Sequence, residues 1–175
     1  MIKFVYMEEM VVLVDPKDNV LGRMDKLVAH QTGVLHRAFS VFLFNQKGEM
    51  LLQQRAKSKY HSPGQWTNAC CSHPRLLESY KDAANRRLME ELGIEVSISE
   101  KFHFIYKASV GGELTEHELD HVFTGIYDGK FHLNPEEVMN VRYISLEELE
   151  KEMQAYPNLF TPWFTIILNE YKQHL

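Results

Sequence analysis

Two pairs of residues in this 175-residue chain have the type and spacing of a reactive site: Cys71 with His73, and Glu116 with Glu118. In an extended strand residues i and i+2 share a face, so each pair turns both side chains toward one pocket. Carboxylates and imidazoles together suit Zn²⁺, Mn²⁺ or Fe²⁺. His30 and His36 lie on the approach to an apolar run at 38–44. A third pattern is helical. Arg86 and Glu90, like Arg87 and Glu91, are i, i+4 partners, which alone describe a salt-bridged, solvated face. Adjacent Glu90 and Glu91 are also hard oxygen ligands of the kind that a divalent cation takes. Cys71 alone reads as a small buried apolar residue, the usual fate of a free cysteine. The chain has 2 cysteines, and Cys70 and Cys71 are neighbours, so standard disulfide geometry is strained and both thiols are expected to be reduced. Strand alternation turns Cys71 with His73 and points Cys70 toward the core.

The elements that must position these groups follow from patterning. Residues 10–14 and 20–24 read as a hairpin about Asp-Pro and Asp-Asn turn chemistry, and residues 38–44 and 50–55 as a second one about a turn with Gly48. A polar, basic loop at 56–64 leads to a short segment at 66–74. Residues 79–93 carry the clearest helical signal: a Ser79/Asp82 capping box, Ala84, Leu88 and Leu92 at i, i+4 spacing, and Gly93 past the end. Strands follow at 102–108 and 118–127 around Gly111-Gly112, with another tight turn at Asp128-Gly129. Ser145 with Glu148 opens a helix to about 154, and an aromatic-rich segment at 161–171 forms the last one. Strands before, after and beside one strong helix imply a mixed β-sheet packed between helices, α/β or α+β in class.

The segment around the strong helix resembles the Nudix box, a glycine, then five residues, Glu, seven residues, Arg-Glu, two residues, Glu-Glu, one residue, Gly and an aliphatic. Its positions are Ser72, Glu78, Arg86, Arg87, Glu90, Glu91, Gly93 and Ile94. Two depart from the hydrolase pattern, Ser72 for glycine and Arg87 for glutamate. Losing a carboxylate and gaining a cation disfavours metal-activated water, while a cation there could grip a diphosphate directly. The string Thr67-Asn68-Ala69-Cys70-Cys71-Ser72-His73-Pro74, with Trp66, Tyr106, Glu116-His117-Glu118 and Pro162-Trp163, resembles the type I isopentenyl-diphosphate isomerases over nearly the whole chain. That resemblance implies a Nudix fold and an isomerase interconverting isopentenyl and dimethylallyl diphosphate by protonation and deprotonation, in isoprenoid biosynthesis. It implies Cys71 and Glu118 as proton-handling groups, with Tyr106 beside the carboxylate and Trp163 facing the cationic state. It further implies His30, His36, His73, Glu116 and Glu118 around one transition-metal ion, Mn²⁺ or Zn²⁺, and Mg²⁺ at Glu91 with the substrate. Lys26, Arg55, Lys59, Ser72 and Arg87 are implied for the diphosphate. Cys71, beside such Lys and Arg residues, is expected to have more thiolate character than Cys70. His61 reads as a mobile surface histidine of the basic loop, and His103, His121, His132 and His174 as structural or solvated. A Nudix hydrolase of a nucleotide or other diphosphate is the alternative. A catalytically inactive, metal-stabilised binding module is the third possibility.

Composition sets the outer limits. With 45% hydrophobic and 25% charged residues, 1–175 reads as one globular domain. Lys plus Arg total 19 against 24 acidic residues, a net charge of −5 with no basic block, which argues against DNA or RNA as a partner. The longest apolar runs fall far short of the roughly 20 residues that cross a bilayer. The start, with Glu8 and Glu9, lacks the pattern of a secretion signal, so a cytoplasmic protein is expected, a monomer or weak homodimer acting on a small molecule.

Overall fold

The computed structural model describes residues 9–175; residues 1–8, most of the stretch read against a secretion signal, lie outside the described residues. Strands β1 (Met10–Val14) and β2 (Val20–Asp25) form the opening hairpin, and α1 (Lys26–Thr32) follows at once. Asp25 caps α1 by accepting from the Val28 N–H at 3.1 Å, and Gly33 ends it in the left-handed conformation, φ 64°. Both are ordinary boundary signals. The helix was not anticipated because its seven residues carry too few apolar repeats to show a period.

Strand β3 (His36–Phe44) organises the sheet. One edge pairs in parallel with β8 (Leu114–Ile126), from His36 opposite Glu118 to Phe44 opposite Ile126. Its other edge is shared by β1 at His36, β6 (Cys70–Ser72) at Phe39 to Val41, and β4 (Met50–Arg55) at Phe44. The expected second hairpin therefore holds at a single pair, Phe44 with Met50. Because β6 takes the middle of β3, β4 satisfies its backbone groups against β9 (Val138–Ile144) and β5 (Trp66–Thr67) instead. Strand β7 (Ile98–Gly111) runs antiparallel to β8, and both are longer than patterning implied.

Helix α2 (Tyr80–Leu92) covers one face of the sheet, and α3 (Leu146–Ala155) and α4 (Pro162–Tyr171) cover the other. Alternation along β3 divides the core accordingly. Phe39, Val41 and Leu43 meet Leu88 and Leu92 of α2, while Phe42 meets Phe164 and Ile167 of α4. The observed class is the expected mixed sheet between helices. In both expected capping boxes the serine hydroxyl accepts from the backbone, Ser79 from Asp82 at 3.1 Å and Ser145 from Glu148 at 3.3 Å. The carboxylate, however, accepts from that same hydroxyl rather than reaching back to the backbone. No helix of the described residues is long and apolar enough to cross a membrane.

Candidate functional site

Register along β8 builds the site. Glu116, Glu118 and Asp120 alternate onto one face and are all buried. The parallel ladder sets His36 opposite Glu118, β6 leads into His73, and α1 folds His30 back over both. Around Glu118 Oε1 stand the Nε2 atoms of His73 at 3.0 Å, His36 at 3.4 Å and His30 at 4.0 Å. His36 Nδ1 lies 2.9 Å from the Val34 carbonyl, which only accepts, so Nδ1 carries a proton and Nε2 is turned toward Glu118. His30 Nδ1 pairs with the Tyr60 hydroxyl at 2.8 Å. The Nε2 atoms of His30 and His36 are buried without a hydrogen-bond partner.

These residues fit a metal ion. One ligand atom from each of His30, His36, His73 and Glu118 lies within 4.8 Å of all the others. Burial, with the neighbouring His73, lowers His30 to about 3, and burial lowers His73. Burial opposes the charge on Glu118, but the His36 and His73 rings, both close against its Oε1, outweigh it and hold that carboxyl well below its ordinary value. Imidazoles held neutral, as at His30 and His73, beside an ionised carboxylate are what a divalent ion requires. Glu116 lies beside this group rather than in it, and burial and the Glu118 charge push its carboxyl up. The Tyr106 hydroxyl lies 2.7 Å from Glu118 and 2.9 Å from Glu116. A phenol has one proton, so the Tyr106 hydroxyl bridges the two carboxyl groups and donates to one of them at a time.

Cys71, Tyr106 and Trp163 line one cleft with Lys26, Arg55, Lys59, Ser72, Arg87 and Glu91. Most of these cations already have acidic partners. Lys26 pairs with Glu9 at 3.1 Å, Lys59 with Glu137 at 2.5 Å, and Arg87 with Glu91 at 2.6 Å and Glu137 at 3.1 Å. Buried Arg55 donates instead to the Ser62 and His61 carbonyls and lies over the Trp163 ring, 5.3 Å from its centroid. Glu91 reaches the cleft and also accepts from Gln53 at 2.8 Å. Glu90 does not: it is half-exposed and pairs with Arg86 and Arg87. Arg86 is held mainly by Glu78, at 2.7 Å and 2.9 Å.

One expectation needs correction. His61 is 7% exposed, stands edge-on to Trp163 with ring centroids 5.8 Å apart, and is lowered to about 2 by burial and Arg55. The basic loop folds over the cleft because Arg55 N–H bonds Gln65 O at 2.9 Å and Gly64 N–H bonds Arg55 O at 3.2 Å, a closure that polar composition does not announce. The Cys71 thiol is also set by burial. Burial pushes it up against the opposing pull of Arg55, so the thiol keeps its proton. Cys70 is fully buried in the α2-side core and is also raised by burial. Tyr60, Gln53, Glu137 and Glu9 line the cleft without having been singled out. The Tyr60-His61 pair in the loop was the available signal for the first of them.

The NUDIX domain family model matches residues 34–164, three quarters of the chain. The isopentenyl-diphosphate Delta-isomerase of Serratia proteamaculans is 48% identical over 164 residues, covering 94% of this chain and 92% of its own length. The chain belongs to the isopentenyl-diphosphate Delta-isomerase family. It is an enzyme of the Nudix fold. The isopentenyl-diphosphate Delta-isomerase of Aliivibrio fischeri is 44% identical over 177 residues and covers 97% of this chain and 98% of its own. Among solved structures, a Deinococcus radiodurans protein superposes with a TM-score of 0.69 at 21% identity, over 84% of this chain and 90% of its own. A MutT NUDIX hydrolase from Burkholderia pseudomallei reaches 0.62 at 19% identity, over 78% and 98%. These last two likenesses concern the fold alone.

Proposed function

We propose that the chain interconverts isopentenyl and dimethylallyl diphosphate at this cleft without releasing phosphate. Family membership supports the reaction, and one observation carries the assignment of roles: a thiol that keeps its proton and an ionised carboxylate line the same cleft. Shifting a double bond by one position needs a proton delivered to one alkene carbon and a different proton removed from the carbon adjacent to the double bond. Cys71 and Glu118 take these parts, exchanging them when the reaction reverses. Tyr106 bridges Glu118 and Glu116 and holds the Glu118 carboxylate in place. Trp163 offers aromatic surface to the cationic state between the two transfers.

Arg55, Lys26, Lys59 and Arg87 bind the diphosphate, with Ser72 beside them. Lys59 and Arg87 exchange the Glu137 carboxylate for phosphate oxygens as substrate enters. His30, His36, His73 and Glu118 would hold Mn²⁺ or Zn²⁺, whose charge would fix Glu118 and tune its acidity, while Glu91 would meet the Mg²⁺ that accompanies a diphosphate. This reading includes isoprenoid synthesis in the cytoplasm by a monomer or weak homodimer.

Arg87 is also what speaks against hydrolysis. It stands where the hydrolase box has a glutamate and neutralises Glu91, so fewer free carboxylates remain to activate water. Incubation with isopentenyl diphosphate and Mg²⁺ in D₂O should yield dimethylallyl diphosphate carrying deuterium, with no free phosphate. Steady release of phosphate or pyrophosphate without allylic product would overturn the proposal in favour of a hydrolase.

A further inference from the structure

A second cluster of ligating side chains lies on the opposite face of β8. Glu118 and His121 are three residues apart and point to opposite sides of the strand, so His121 sits on the α2 side of the sheet. His103 of β7 is its direct cross-strand partner, with ring centroids 4.9 Å apart and planes 17° apart. Glu100 completes the cluster only through a backbone irregularity. Glu100 and His103 are an odd number of residues apart and in a regular strand would face opposite ways. The register shifts between Glu100 and Phe102, leaving Lys101 as the extra residue of a bulge, and Glu100 is thereby turned onto the histidine face. Its Oε1 lies 2.7 Å from His121 Nδ1.

We propose that Glu100, His103 and His121 form a second transition-metal site, of the Zn²⁺ class, independent of the catalytic cleft. One ligand atom from each lies within 4.8 Å of the others. Ligands about 2.1 Å from a tetrahedral ion stand about 3.4 Å apart, a spacing that small side-chain rotations reach, since Glu100 and His103 are exposed. Two imidazoles and one carboxylate are a donor set that zinc accepts, with the remaining position left to water.

The site also has an outer layer. Tyr80, the first residue of α2, stacks on His121 with centroids 3.7 Å apart and planes 20° apart. The Tyr80 hydroxyl donates to Asp18 at 3.0 Å, and Asp18 in turn accepts from Arg37 at 2.7 Å. Groups that orient a metal-binding histidine in this way support affinity. Burial lowers His121 against the opposing pull of Glu100, which favours the neutral, ligating imidazole. A bound ion would clip β7 to β8 and dock the start of α2 against both.

The test counts metal on the whole protein. After equilibration with micromolar Zn²⁺ and removal of free ion, elemental analysis should find two zinc ions per wild-type chain, on the order of one per site. His103→Ala, at an exposed position, should hold one and keep full isomerase turnover, and His73→Ala should lose the other and its turnover. Glu100→Gln should weaken the second site about tenfold or more. Zinc above saturation of the cleft should raise the melting temperature of the wild type by roughly 5 °C and leave His103→Ala unmoved. A wild-type chain that holds one ion, or a His103→Ala chain that still holds two, would overturn the proposal.

Discussion

Cys70 and Cys71 are neighbours with opposite environments, one sealed in the α2-side core and the other in the cleft with Glu118 and Arg55. Cys70→Ala is expected to cost on the order of 1 kcal/mol as a core truncation and to leave turnover near wild type. Cys71→Ala should fold and keep its metal but lose turnover by several orders of magnitude, because the cleft then lacks one of its two proton-handling groups. Urea denaturation and rate measurements on the pair check this, and the reverse result would mean that the local strand alternation is inverted. Glu137 makes a second residue-scale case, since one carboxylate holds both Lys59 and Arg87. Burial opposes its charge, but Lys59 and Arg87 together hold it below its ordinary 4.5. A carboxyl depressed on folding stabilises the protein above its unfolded pKa, and that contribution is lost as pH falls through the folded value. Glu137→Gln should therefore cost about 1 to 2 kcal/mol at neutral pH. The gap from wild type should narrow as pH falls below about 4.5; a gap unchanged by acid would assign the loss to packing instead.

Two helices end on glycines in the left-handed region, and their surroundings differ. A Cβ on Gly33 would meet Thr115 Cγ2 at 3.4 Å and Thr115 Cβ and Lys107 Cε at 3.6 Å, ordinary contacts, so the cost of Gly33→Ala is that of the backbone conformation, about 1 kcal/mol. A Cβ on Gly93 would lie 2.6 Å from His132 Cβ and 2.7 Å from His132 O, a backbone atom that cannot yield cheaply. Gly93→Ala should lose roughly 3 kcal/mol, conformation and overpacking together. Denaturation midpoints will rank them, and equal losses would refute the clash. Gly33→Ala should in addition weaken metal retention, because α1 carries His30 and its cap is tied to β8 through His117 Nδ1 and Gly33 O at 3.0 Å. Gly93→Ala, at the far end of α2, should not.

Across the whole molecule the cleft draws on many elements at once. The four clustered ligand residues come from α1, β3, the segment after β6, and β8, which lie up to 88 positions apart in the chain between His30 and Glu118. An ion there couples elements that the backbone leaves distant, and three buried imidazoles lose their common partner when it is removed. Chelation is expected to lower the melting temperature by roughly 5 to 10 °C, reversibly. The measurement is best made in the His103→Ala background, where the sheet-face cluster is disabled; an unchanged melting temperature there would mean that the cleft histidines are satisfied without an ion.

Local chemistry was sufficient for the features that depend on neighbours in the chain. Ser79 and Gly93 bound α2, the i, i+2 alternation separates Cys71 from Cys70, and the Thr67-to-Pro74 string with Glu116 and Glu118 points to the reaction through its resemblance to the isomerase family. The second hairpin opens after its first pair because hairpin signals describe only two strands, whereas β3 has stronger partners in β6 and β8. Helix α1 and strand β9 were too short or too weakly patterned to register. Protonation lay further out of reach. The Cys71 thiol, the His61 ring and the division of charge between Glu116 and Glu118 depend on which groups are excluded from water and which charges stand within a few ångströms. Those distances join residues 30, 36, 61, 71, 73, 106, 116 and 118, and only the closed sheet, with its loop folded over the cleft, sets them.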